Sequence, residues 1–176
     1  MTDSPGPRTI PKKKDAAQLW DYALRALGRR ALTVAEIRQK LREKAIDPAD
    51  VEPAMAKLQE YGYLNDGRFA EAYAGSRRAN QSFGKLRVLR DLRSRRVGAE
   101  TAGQAIEKVY ADTDELKLVE EYVARKFRNK DLRVYLADPN HLASAYRKLR
   151  YAGFGSSACI RVLKRYTERA EEIEES

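Results

Sequence analysis

Tyr63-Leu64-Asn65-Asp66-Gly67-Arg68-Phe69-Ala70-Glu71-Ala72-Tyr73-Ala74-Gly75-Ser76-Arg77 is the stretch on which the parsing of this chain turns. It follows Gly62, a residue suited to the left-handed end of a preceding helix. Asn65 or Asp66 is placed to cap a new helix, and Phe69, Ala70 and Tyr73 share one face of it. The stretch runs into Arg77-Arg78, where a dense basic run begins. One structural unit therefore ends here and another starts.

Working back from it, Asp15 reads as an N-cap with Gln18 as partner, and the helix that follows carries Leu19, Trp20, Ala23, Leu24 and Leu27. Thr33-Val34-Ala35-Glu36 has the form of a capping box and opens a helix with Val34, Ile37 and Leu41 inward. Asp47-Pro48 starts a third helix, with Val51, Met55 and Leu58 inward. Working forward, the helix from Asp66 ends near Ala79, and Ser82 or Gly84 starts another, burying Leu86, Leu89 and Leu92 with Val88 at the flank. Gly98 precedes a helix holding Ile106 and Val109. Asp112-Thr113 caps a long helix to Phe127, and 129–137 reads as a break. Asp138-Pro139 repeats the cap-plus-proline start, and Ser156-Ser157 begins a last helix with Ile160, Leu163 and Tyr166.

These elements repeat. Gln39-Lys40-Leu41-Arg42 aligns with Arg90-Asp91-Leu92-Arg93 and with Arg147-Lys148-Leu149-Arg150, each followed by an apolar residue at Ile46, Val97 and Phe154. The leucines are 51 and 57 residues apart. Tyrosines recur near the start (Tyr22, Tyr73, Tyr122) and the end (Tyr61, Tyr110, Tyr166) of each unit. A period near fifty residues predicts an all-α, elongated array of three tandem three-helix repeats at 15–62, 63–111 and 112–170. A basic arm (1–14) would precede the array and an acidic tail (171–176) would follow it.

Composition narrows the function. The 176 residues carry 35 Lys and Arg against 26 Asp and Glu, a net charge of +9, which points to a polyanionic partner. A single cysteine, Cys159, allows no internal disulfide, and no run of 18 apolar residues suggests a membrane span. The first residues lack the apolar core of a signal peptide, so a cytoplasmic protein is expected, and with no dimer element visible in the sequence, a monomer. Between Arg77 and Arg96, the basic residues Arg77, Arg78, Lys85, Arg87, Arg90, Arg93, Arg95 and Arg96 face Asp91 as the lone acid. They are the candidate contacts to DNA phosphates or to acidic patches of a protein partner. Catalysis finds little support. His141 falls in a first helical turn, no phosphate-binding glycine loop exists, and Glu71, Glu120 and Glu121 lack metal-site spacing. Cys159 reads as a small core residue, although its place near a helix start could lower its pKa. No cofactor is expected.

The run Tyr63, Leu64, Asn65, Asp66, Arg68, Phe69, Ala70, Tyr73, Ser76, Arg77, with Gly84 downstream, resembles the signature of the bacterial RecX family. The likeness spans about residues 15–169 and is looser in the third unit. It implies a helical protein of three repeats, without a catalytic site, that lies along the RecA recombinase filament on single-stranded DNA. There it would restrain filament growth, ATP hydrolysis and strand exchange. Within the signature, the residues themselves suggest packing by Phe69 and Tyr73, and a seam between units plugged by Tyr63 and Leu64. Arg68 would pair with Asp66 or Glu71. The alternative is a DNA-binding regulator, either sequence-independent or reading DNA through a helix-turn-helix with Lys85, Arg87 and Arg90.

Overall fold

The structure, a computed structural model, describes residues 13–173. Most of the expected basic arm and the end of the acidic tail lie outside these residues. The chain divides into two compact units, Met1–Asp66 and Gly67–Ser176. Ten α-helices and two short 3-10 segments make up the described residues, with one isolated bridge between Lys14 and Ala45 in place of any strand.

The first unit holds α1 (Ala16–Arg29), α2 (Val34–Lys44), a 3-10 turn (Pro48–Asp50) and α3 (Val51–Glu60). Each start has the cap its sequence promised. The Asp15 carboxylate accepts from Gln18 N at 2.9 Å. Thr33 and Glu36 form the reciprocal box, with Thr33 N donating to the Glu36 carboxylate at 3.1 Å and Glu36 N to Thr33 Oγ1 at 3.1 Å. Asp47 accepts from Ala49 N, with Pro48 filling the first helical position, where no N–H is missed. Gly62 closes α3 at φ +71°, a left-handed turn that glycine adopts without steric cost. The interior consists of Leu19, Ile37, Leu41, Val51, Met55, Leu58 and Leu64. Ile46 is 65% exposed, and Ala45 turns inward in its place, one residue early relative to the repeat alignment. The α2 helix stops at Lys44, and the extended backbone of Ala45 reverses the facing of the two side chains.

The second unit holds α4 (Asp66–Gln81), α5 (Lys85–Ser94), α6 (Ala99–Tyr110), α7 (Glu115–Lys126), α8 (Leu132–Leu136), α9 (Pro139–Tyr151) and α10 (Ser156–Leu163). Residues of the second and third sequence repeats share this unit, and backbone hydrogen bonds join them. Gly84 N donates to Ala152 O at 2.9 Å and Leu86 N to Gly153 O at 3.3 Å, so carbonyls of the α9–α10 turn serve the open N-terminus of α5. A Cβ on Gly84 would lie 2.4 Å from Gly153 O, and one on Gly153 (φ +95°) would lie 2.2 Å from Arg87 N. Two bare backbones are required here.

Several local expectations shift. Val88 is fully buried beside Leu92, whereas Leu86 is 49% exposed. The α7 cap is Asp114, which accepts from Leu116 N and Lys117 N, rather than Asp112-Thr113. The expected break at 129–137 contains α8, capped by Asp131 and anchored by buried Leu136. Asp138 caps α9 as anticipated, and its bonds from His141 N and Asn140 N hold its pKa below the usual carboxylate range. The repeat leucines Leu41, Leu92 and Leu149 are all fully buried. Leu92 and Leu149 belong to two apolar clusters, both touched by Phe83 and Tyr110.

Candidate polyanion-binding cleft

Helical geometry distributes the basic run over several faces. Arg78 donates to Val109 O and to Thr113 Oγ1, securing the end of α6. Arg77 donates to Gln81 Oε1 at 2.6 Å and sits 4.8 Å from the Tyr73 ring. Arg95 lies 4.5 Å from the Phe69 ring, which stacks on Tyr73 at 5.9 Å. Arg87 pairs with Asp91 at 2.9 Å. Burial opposes its charge, but the Asp91 hydrogen bond and negative charge outweigh that and raise its pKa further. Tyr73 OH also donates to Asp91, at 3.4 Å. The lone acid of the run thus orients an arginine and a tyrosine. Lys85, Arg90, Arg93 and Arg96 remain on the exposed side, with Arg90 donating to Tyr151 O at 2.9 Å.

The signature residues divide between core and surface. Leu64 joins the first unit's core, while Tyr63 is 52% exposed and lies against Trp20 and Tyr61. Asp66 accepts from Val34 N at 2.9 Å, satisfying a first-turn donor of α2. Phe69 and Ala70 are buried, Tyr73 is half-buried, and Ser76 and Arg68 are exposed. Glu71 pairs with Lys108 at 2.7 Å. Gly84 is the close-approach residue described above.

The second unit has a cleft of about 660 Å³ between α5, α7 and α9. Arg87, Arg125, Lys126, Arg147 and Lys148 line it, and no carboxylate does. Phe83, Tyr122 and Tyr151 supply its apolar surface. Arg87 lies 4.4 Å from the Tyr151 ring and 5.3 Å from the Phe83 ring, so one guanidinium bridges two aromatic walls. Arg125 is steered by Asn80 O at 3.0 Å and Ser82 Oγ at 3.3 Å. Ser82 adopts φ +47° to make the corner from which Phe83 enters the cleft. Burial raises the Tyr122 pKa despite nearby Arg125 and Arg87, so its hydroxyl stays neutral. Cations beside aromatic rings, of which Tyr151 is exposed, suit phosphates, carboxylates and stacked bases.

Of the eight cations expected from sequence, only Arg87 lines this cleft. Arg125, Lys126, Arg147 and Lys148 went unread, although Arg147 and Lys148 already stood in the repeat alignment opposite Arg90 and Asp91. Their convergence depends on three helices distant in sequence.

Reacting groups are not gathered in the same way. Among the described residues, no three His, Cys, Asp or Glu side chains are placed to hold a metal ion. His141 is exposed and stacks on Tyr135 at 4.2 Å. Cys159 is fully buried, in line with its reading as a small core residue, and burial pushes its thiol up to about 12, against the lowering that a helix start could give. No helix among the described residues is long and apolar enough to cross a membrane.

Fold and cleft together define a class: an all-helical protein of three-helix modules that presents charge and aromatic surface. Residues 20–58 match the model of the first three-helix domain of RecX, and residues 65–106 that of the second. The regulatory protein RecX of Deinococcus radiodurans is 32% identical over 165 residues, covering 92% of this chain and 74% of that one. The RecX of Syntrophotalea carbinolica is 30% identical, covering 78% and 89%. In fold, the crystal structure of RecX from Lactobacillus salivarius superposes with a TM-score of 0.64 at 19% identity, over 86% of this chain and 96% of that one. The chain belongs to the RecX family of regulatory proteins.

Proposed function

We propose that this protein binds the RecA recombinase filament on single-stranded DNA and restrains its growth, ATP hydrolysis and strand exchange. Family membership motivates the choice of partner. The observation that carries the reading is the cleft of Arg87, Arg125, Lys126, Arg147 and Lys148, which no carboxylate lines, with Arg87 held in a pair with Asp91. A nucleoprotein filament offers phosphates and acidic protein surface together, and arginines serve both. The protein acts as a three-module binding monomer in the cytoplasm, not as an enzyme. Lys85, Arg90, Arg93 and Arg96 extend the contact surface beyond the cleft.

Recombinase ATP hydrolysis on single-stranded DNA, measured with and without the protein, tests this. Added in stoichiometric amounts, the protein should slow hydrolysis; an unchanged rate would sink the proposal. A second reading, sequence-independent DNA binding alone, is favoured by the ring-lined character of the cleft. It predicts equal affinity for bare and recombinase-coated DNA.

A further inference from the structure

The first unit has a basic cleft of its own, which the run of charge in the middle of the sequence does not reveal. It measures about 520 Å³ and is lined by Lys14, Arg25, Arg29, Arg30, Lys40 and Lys44, with no acid among its lining residues. Two elements create it. The last turns of α1 and the residues just after bring Arg25, Arg29 and Arg30 to one rim, while Lys40 and Lys44 project one turn apart from α2. Lys14 is held at the mouth by backbone bonds, Lys14 N donating to Lys44 O and Ile46 N to Lys14 O, each at 2.8 Å. This bridge explains why an otherwise extended residue is fixed beside the helices. Tyr22, Ala26 and Leu32 supply apolar lining, and Lys14 Nζ lies 5.8 Å from the Tyr22 ring.

We infer that this cleft is a second, separate nucleic-acid site that takes the phosphate backbone of single-stranded DNA. Six cations around a small space repel one another unless an anion enters. Among the described residues, no carboxylate is within ion-pair distance of Arg29, Arg30, Lys40 or Lys44. The second unit's cleft has the same makeup of cations, aromatic surface and no acid, so each unit presents the surface expected of a strand-tracking groove. An acidic peptide would match the charge, but a strand also matches the apolar lining, since sugar and base faces can rest on Tyr22 and Leu32 while phosphates meet the rim. The inference rests on the proposed function only in taking DNA as the ligand.

Its test uses the full chain and a bare single-stranded oligonucleotide, with affinity measured across a range of salt concentrations. Three proteins are compared: wild type, the triple variant Arg29→Gln, Arg30→Gln, Lys40→Gln, and the triple variant Lys126→Gln, Arg147→Gln, Lys148→Gln. Each phosphate contact on a single strand adds about 0.7 to the log–log salt slope, so each triple variant should lose roughly 2 and bind on the order of tenfold more weakly. Circular dichroism checks folding, and Arg25→Gln with Lys44→Gln provides a second variant if the first melts early. A first-unit variant with wild-type affinity and slope overturns the inference. The same holds if it loses only association with the recombinase, which would assign the cleft to an acidic protein face. Loss of DNA affinity in both variants, from a wild-type protein without effect on recombinase ATP hydrolysis, would support the inference and sink the proposed function alone.

Discussion

Phe69 shows how a signature residue works at the scale of one side chain. Its ring is buried, stacks on Tyr73 and carries Arg95 on its face, so Phe69→Ala removes a core ring and a cation–π partner together. The expected loss is about 3–5 kcal/mol, read as a lowered melting temperature with the salt dependence of DNA binding unchanged. The half-buried Tyr110 and the buried Cys159 both favour the fold less as pH rises. Burial raises the Tyr110 hydroxyl from 10.0 to about 12, and that hydroxyl donates to Phe83 O at 2.7 Å. Cys159 rises from 9.0 to about 12. In both, the folded state holds its proton more tightly than the unfolded chain. The stability they contribute is therefore complete below pH 9 and is lost as pH climbs from 9 toward 12. Cys159→Ala should move the onset of alkaline unfolding upward, from the thiol's range toward the tyrosine's; a pH titration of the far-ultraviolet signal checks this. At this scale the sequence was a good guide to caps, because a cap depends on neighbours three residues away. Thr33 with Glu36, Asp47 with Pro48 and Asp138 with Pro139 all behave as expected. It was a poor guide to the partners of arginines, because Arg78 finds Val109 O across thirty-one residues.

Among the elements, α5 is the instructive case. Leucines at 86, 89 and 92 suggest one face, but a three-residue step drifts around a helix of 3.6 residues per turn. The four-residue step from Val88 to Leu92 holds the core face instead, and Leu86 turns to solvent. The same helix starts on a glycine because its first donors are served by another segment's carbonyls. Gly84→Ala would force a methyl against Gly153 O and the Phe154 ring, costing about 1–3 kcal/mol as overpacking. Chemical denaturation followed by Trp-independent probes such as circular dichroism should show the loss confined to the second unit's transition. The α8 helix escaped the sequence reading for another reason. At five residues it is too short for periodicity to register, and only the Asp131 cap and Leu136 mark it.

For the molecule as a whole, the family signature and the repeat of buried leucines made the helical architecture legible in advance. The cleft was not, because its cations come from α5, α7 and α9, and a linear charge count cannot see convergence. The exposed pair Arg90 and Arg93 remains a sharp test of the basic run. Reversing both to Glu should weaken filament or DNA binding while leaving helicity intact; a collapse of the circular dichroism signal would make them structural. The Gly84–Gly153 contact also governs time as well as strength. It joins residues roughly seventy apart, and closing so long a loop must precede the bonds that reward it. The first unit, built from helices that neighbour one another in sequence, has no such closure to await. Refolding should therefore proceed in two phases, a fast one for the first unit and a slower one for the second. If the glycine contact forms only after the slow barrier, Gly84→Ala will hasten unfolding of the second unit and leave its folding rate nearly untouched.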